Sequence, residues 1–195
     1  PVFDALGNTD ELNACIGLAR VYCTKSSLDL DDMYVSSISC AIHPYFITQQ
    51  QVADIQSRLL EAGAAIATPL DSSTPEQLAM SGFNAEHTTK LEKHIDYLDS
   101  QAPKLKVFIL PVVHSRNCGA ARVTSCVVEW WRSCDAFASR ENSVETAERA
   151  VVPLVQAGHV PAAVGAYFNR LSDFFFAAAR YAAHKTGHGD EAKRP

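Results

Sequence analysis

A chain of 195 residues with 47% apolar and 20% charged side chains is long enough to bury a core without disulfides or a metal, and its composition excludes a disordered protein. A formal charge of -5 argues against a nucleic-acid surface, although it is compatible with a locally basic ligand patch. No apolar run reaches the roughly 20 residues that span a bilayer, so no membrane segment is expected.

The opening PVFDALG is too short and uncharged for a secretory leader. It reads as the interior of a structured domain, so the chain is expected to be truncated at its N-terminus. Leu6-Gly7-Asn8-Thr9 reads as a turn, with Asn8 or Thr9 capping a helix whose first turn holds Asp10 and Glu11. Leu12, Cys15, Ile16 and Ala19 give that helix one face at spacings of three and four. Lys25 to Asp32 reads as its tail and a loop. A second apolar stretch starts near Met33 and is interrupted at Pro44.

From Gln49 to Ile66 the period is helical on Val52, Ile55, Leu59 and Ala62. Gly63 fits a close packing approach, and Thr68-Pro69 ends the helix. Thr74 and Pro75 are a cap and first position for a short helix. Asn84 to Ser100 is amphipathic on Thr88, Leu91, Ile95 and Leu98, with Glu86, Lys90, Glu92, Lys93 and Asp96 around them. Gln101-Ala102-Pro103 breaks it.

Lys106 to Pro111 is a short apolar run that, taken alone, could be a buried strand, yet one strand makes no sheet. Residues 112–143 are irregular in pattern, with adjacent Trp130 and Trp131 and a break at Arg140 to Ser143. Val144 to Val155 is helical, to be ended or kinked at Pro153. After Gly158 and Pro161 the last helix runs from about Ala162 to Lys185, followed by a polar, flexible tail over 186–195. Long helices joined by short breaks predict an all-α bundle, a single domain over 1–185.

The six cysteines include no CxxC pair and read as free thiols in a reducing compartment. His114, Cys118, Cys126 and Cys134 lack the intervals of a zinc site, so no metal ligands are assigned. His87 and His94 read as surface residues. No phosphate loop, dinucleotide fingerprint or nucleophile elbow is present.

On the last helix Asn169, Asp173, Ala177, Arg180 and His184 share one face, while Leu171, Phe174, Phe175, Ala178 and Ala179 spread over much of the rest. Such a stripe is either a satisfied polar network inside the bundle or part of a ligand site. Glu145 and Arg149, four apart, can pair across a turn.

Five segments in order, DALGNTDELNACIGLA, IQSRLLEAGAAIATP, LEKHIDYLDSQAPKLKVFILP, AERAVVPLVQAG and FNRLSDFFFAAARYAA, resemble the PduO-type ATP:cob(I)alamin adenosyltransferases, most of all the mitochondrial form. The resemblance implies a five-helix bundle, a homotrimer with active sites between subunits, and a mitochondrial matrix location in a eukaryote or the cytoplasm otherwise. It implies transfer of the 5′-deoxyadenosyl group from ATP, with Mg²⁺, to reduced cobalamin, releasing triphosphate. A corrinoid reductase or an acceptor mutase would be a further partner; nucleic acid and membrane would not.

Position by position, Asp10 matches an aspartate that pairs with an active-site arginine at the interface. Phe108 matches a phenylalanine that covers the lower corrin face and keeps cobalt four-coordinate. Glu148 and Arg149 match the end of the family's RRAER motif. Asn169 matches a nucleotide-contacting asparagine, with Arg170 and Asp173 its neighbours in NRLSD.

The chain also departs from the family pattern. The glycine-rich TGDxGxT loop would precede Pro1, no glycine pair follows Pro111, and the first two arginines of RRAER fall on Glu145 and Thr146. A carboxylate there repels triphosphate. Two expectations follow: a divergent member, inactive yet able to bind a corrinoid or assist assembly, or a chain with an altered exon across 112–143.

Overall fold

The computed structural model describes residues 1–28, 49–104 and 143–185. Six helices occupy them: α1 Val2–Leu28, α2 Gln49–Ala67, α3 Pro75–Met80, α4 Glu86–Gln101, α5 Ser143–Gln156 and α6 Ala162–Lys185. Five are long and form a bundle in which α1 packs on α2 and α5, and α6 packs on α4 and α5. Among the described residues there is no strand, as the helical periodicity predicted. The segments containing Met33, Pro44, Phe108, 112–142 and the tail lie outside the described residues.

The expected turn at Leu6 to Thr9 is not one: α1 runs straight through it. Ala5, Thr9, Leu12 and Ile16 are all buried, a stripe at helical spacing that extends the core contact about two turns further back than Leu12. Thr9 is therefore not a cap. Its hydroxyl donates to the Ala5 carbonyl at 2.7 Å, which satisfies a polar group that packing has buried. Packing outweighs the local turn preference of Gly-Asn.

The α2 stripe holds, with Val52, Ile55, Leu59 and Ala62 buried. Gly63 is not a close approach, since a Cβ there would meet nothing within 4 Å. The tight α1–α2 contact is at Gly17, where a Cβ would lie 3.1 Å from the Gln56 amide nitrogen. That same amide donates to the Asn13 carbonyl at 3.2 Å. Thr74 caps α3 as expected, and with Gln77 it completes a capping box.

Pro153 lies inside α5 without ending it. Its exposed ring removes only one N–H, and the helix closes a turn later. There Gly158 takes φ 76°, with Gly158 N donating to Val155 O and His159 N donating to Leu154 O, both at 3.0 Å. This is the Schellman closure, which wants glycine. Gly158→Ala meets no steric contact but must hold a left-handed backbone. Its expected cost is about 1–2 kcal/mol, read as a fall in the chemical-denaturation midpoint at unchanged slope.

The next residues tie this turn to the α2–α3 connection. Leu70 N donates to His159 O at 2.9 Å, and His159 Nδ1 lies 3.0 Å from Asp71 Oδ2. Desolvation pushes the Asp71 carboxyl up, but hydrogen bonds with His159 and its own backbone outweigh it and leave it below its ordinary value. The stabilisation is thus present above the ordinary carboxylate range and lost as pH falls through the lowered value.

Helix α6 is the centre of the molecule. Val164, Tyr167, Phe168, Leu171 and Phe174 are essentially inaccessible, and burying each large apolar side chain contributes about 1.5–3 kcal/mol. No helix among the described residues is long and apolar enough to cross a membrane.

Candidate functional site

The buried stripe of α5 is Val144, Ala147, Val151 and Leu154. That register leaves Glu148 half-buried beside Ala147 and sends Glu145 and Arg149 to the surface. On α6, burial of Phe168 and Leu171 leaves Asn169 exposed between them. The two registers meet: Asn169 Nδ2 donates to Glu148 Oε1 at 3.0 Å. One hydrogen bond thereby joins the AER and NRLSD motifs, twenty-one residues apart. It leaves the second carboxylate oxygen, the amide oxygen and one amide N–H for a ligand with paired donors and acceptors.

Arg149 reaches along its own helix. Its Nη2 donates to Thr146 Oγ1 at 3.2 Å, and Nη1 lies 3.8 Å from Glu145 Oε2, the pairing that the spacing of four suggested. Arg170 turns to the other side of α6, where Nη1 lies 2.6 Å from Asp173 Oδ2 and Nε 3.6 Å from Glu92 Oε1 on α4. Asp10 is exposed on α1, and no hydrogen bond or ion pair among the described residues joins it to these groups. Phe108 lies outside the described residues.

The polar stripe of α6 therefore divides. Its first part, Asn169 with Asp173, is accessible. Its second part is structural: Arg180 is 6% exposed, donates Nη2 to Pro103 O at 2.7 Å and sets Nη1 3.4 Å from Asp99 Oδ1. The guanidinium there ties α6 to the Pro103 carbonyl just beyond α4 and to the Asp99 carboxylate in its last turn. Glu92 was legible only as part of a polar face, because its pairing depends on how α4 packs on α6.

The two histidines of α4 differ from the sequence expectation. His87 is not a surface residue: its side chain is 12% exposed, edge-on to Phe83 and in contact with Arg58 and Glu61 of α2. His94 is likewise partly buried, against Phe174. The sequence signal was Arg58 and Glu61 at spacing three, but nothing local showed that α4 lies over them.

Among the described residues no three His, Cys, Asp or Glu side chains converge to hold a metal ion.

A family model described as cobalamin adenosyltransferase matches residues 1–129 and 141–182. The likeness thus continues well past Pro111, and the unmatched stretch is shorter than the irregular 112–143. The corrinoid adenosyltransferase MMAB of Homo sapiens is 35% identical over 190 residues, covering 97% of this chain and 62% of that protein. The corrinoid adenosyltransferase of Bacillus subtilis is 28% identical over 187 residues, covering 96% and 77%. This chain thus spans about three fifths of the length of the mammalian relative. Among solved structures, a variant PduO-type ATP:corrinoid adenosyltransferase from Lactobacillus reuteri, complexed with cobalamin and ATP, superposes with a TM-score of 0.66 at 25% identity, covering 100% of this chain and 87% of that one. The ordered motifs, the bundle and these matches agree, and the chain belongs to the cobalamin adenosyltransferase family.

Proposed function

We propose that this protein transfers the 5′-deoxyadenosyl group of ATP to cob(I)alamin. The reduced cobalt supplies the electron pair, a cobalt–carbon bond forms at the ribose C5′, and the C5′–oxygen bond breaks to release triphosphate. The observation that carries the reading is the Asn169–Glu148 hydrogen bond, which unites two family motifs in one solvent-facing polar pair. In this reading Asn169 and Glu148 hold the nucleoside and Arg149 supplies positive charge toward the phosphates, while Arg170, paired with Asp173 and Glu92 on the other side of α6, ties that helix to α4. Fixing both reactants in one geometry supplies the proximity term, and the cations stabilise the departing charge. Mg²⁺ would accompany ATP as its phosphate complex. The described residues offer no protein cage for it.

Asp10, exposed on α1, suits a contact with a second subunit, and a homotrimer with sites between subunits is part of the proposal. So is a mitochondrial matrix location, which rests on likeness to the mammalian relatives. Phe108 is proposed to cover the lower corrin face. Phe108→Ala should therefore slow transfer by far more than it weakens ATP binding, measured as kcat against the nucleotide dissociation constant. Equal losses in both would remove the assigned role.

A second reading is a corrinoid-binding protein without turnover. It is favoured by the Glu145–Arg149 pair, which sets a carboxylate where the family carries cations. Incubation of the protein with ATP and chemically reduced cobalamin separates the two. Conversion to the adenosylcobalamin spectrum supports the transferase, and corrin binding with no conversion supports the alternative.

A further inference from the structure

A cleft of about 250 Å³ opens between α2, α4 and α6, on a side of α6 other than the one Asn169 presents to Glu148. Its floor is apolar, made by Ile55, Leu91, Tyr167 and Phe174, and its rim carries Arg58, His87, Lys90 and His94. The Tyr167 ring is 1% exposed, yet its hydroxyl makes no hydrogen bond among the described residues. Burial raises its pKa, and the charges of Arg58, Glu61 and Asp54 act on it. The hydroxyl at the end of this buried ring opens on the cleft and stays protonated, a donor available to a ligand or to water. Lys90 has no carboxylate partner among the described residues.

We propose that this cleft binds a small organic anion, an acid group on a flat apolar body. The body lies over Tyr167, Leu91 and Phe174, and the acid group meets Lys90, the Tyr167 hydroxyl and the Arg58–His87 edge. Asp54, whose Oδ1 accepts from Gln50 at 3.0 Å, repels the acid from the first turns of α2 and directs it toward α4.

The Arg58–His87 edge can rearrange. Arg58 Nη1 lies 2.7 Å from Glu61 Oε1 and 3.2 Å from His87 Nε2, and His87 Nε2 lies 3.3 Å from Glu61 Oε2. A neutral His87 accepts from Arg58. A protonated one donates to Glu61, competes with Arg58 for that carboxylate and adds positive charge to the rim. Charged groups facing His87 are Arg58 and Glu61 from α2 with Glu86 and Lys90 on its own helix, while the ring packed on His94 is Phe174. Burial, and for His87 also the Arg58 charge, hold both imidazoles below their ordinary value. An arriving anion favours the imidazolium forms, so binding takes up protons and strengthens as pH falls.

The test is an NMR titration of the full chain with sodium benzoate, without ATP or corrinoid, read on the imidazole resonances. Benzyl alcohol serves as the uncharged comparison. The expected result is a saturable shift of the His87 and His94 signals with benzoate, about tenfold tighter at pH 6.0 than at 7.5, a change equal to one unit of linked pKa. Benzyl alcohol should bind far more weakly. Lys90→Gln should weaken benzoate about tenfold and Tyr167→Phe about fivefold. No saturable shift, equal binding of the alcohol, or unchanged affinity in both variants would overturn the proposal. Because neither adenosyl donor nor acceptor is present, these outcomes stand apart from the transferase reading.

Discussion

Replacing Glu148 with alanine is expected to slow adenosyl transfer roughly 10²-fold, the scale of a misplaced reactant, while stability changes by about 1 kcal/mol or less. Glu148 is half-buried at the edge of the α5 stripe and holds Asn169 through one 3.0 Å hydrogen bond. Truncation removes that acceptor and lets the Asn169 amide swing. Glu148→Gln is the informative companion, because an amide oxygen can still accept from Asn169 but carries no charge. If the carboxylate only positions Asn169, the glutamine variant keeps most of the rate. If its charge contacts the nucleotide, the glutamine variant falls with the alanine one. A Glu148→Ala protein with parental kcat/KM would remove this residue from the site.

Phe168→Ala is expected to have the largest effect on folding. The ring is completely inaccessible, and its loss leaves a cavity costing about 3–5 kcal/mol. For a domain of this size that is a fall of roughly 10 °C in the thermal midpoint. Phe3→Ala is the matched comparison, because Phe3 is 87% exposed on α1 and its removal should stay within about 0.5 kcal/mol. Thermal unfolding followed by circular dichroism reads both. Similar midpoints for the two variants would mean that α6 is not the centre of the bundle. Phe168 also precedes Asn169, so its packing sets the register that brings the amide to Glu148.

The sequence was most readable where a buried stripe repeats at helical spacing over several turns. Val52, Ile55, Leu59 and Ala62 placed α2, Leu91 and Leu98 placed α4, and the aromatic-rich run from Ala162 placed α6 with its observed ends. It misled where a local signal competed with packing. Gly7-Asn8 looks like a turn, yet Ala5 and Thr9 continue the core face of α1. Pro153 looks like a stop, yet an exposed proline near the end of α5 costs only one hydrogen bond. At the site, order and spacing found Glu148 and Asn169 but could not show that they touch, because that contact depends on the phase of two helices. The same limit hid the Arg58–Glu61–His87 cluster and the contact of Arg180 with Asp99. Each of these contacts joins residues from different helices.

In the proposed reaction one adenosyl group passes from ATP to cobalt for each triphosphate released. Phosphorus NMR of a reaction containing the protein, ATP and a known amount of cob(I)alamin measures it directly. Triphosphate is expected to equal the corrinoid consumed, with none when the corrinoid is omitted. Release of diphosphate or orthophosphate in its place, or intact ATP beside bound corrinoid, would contradict it.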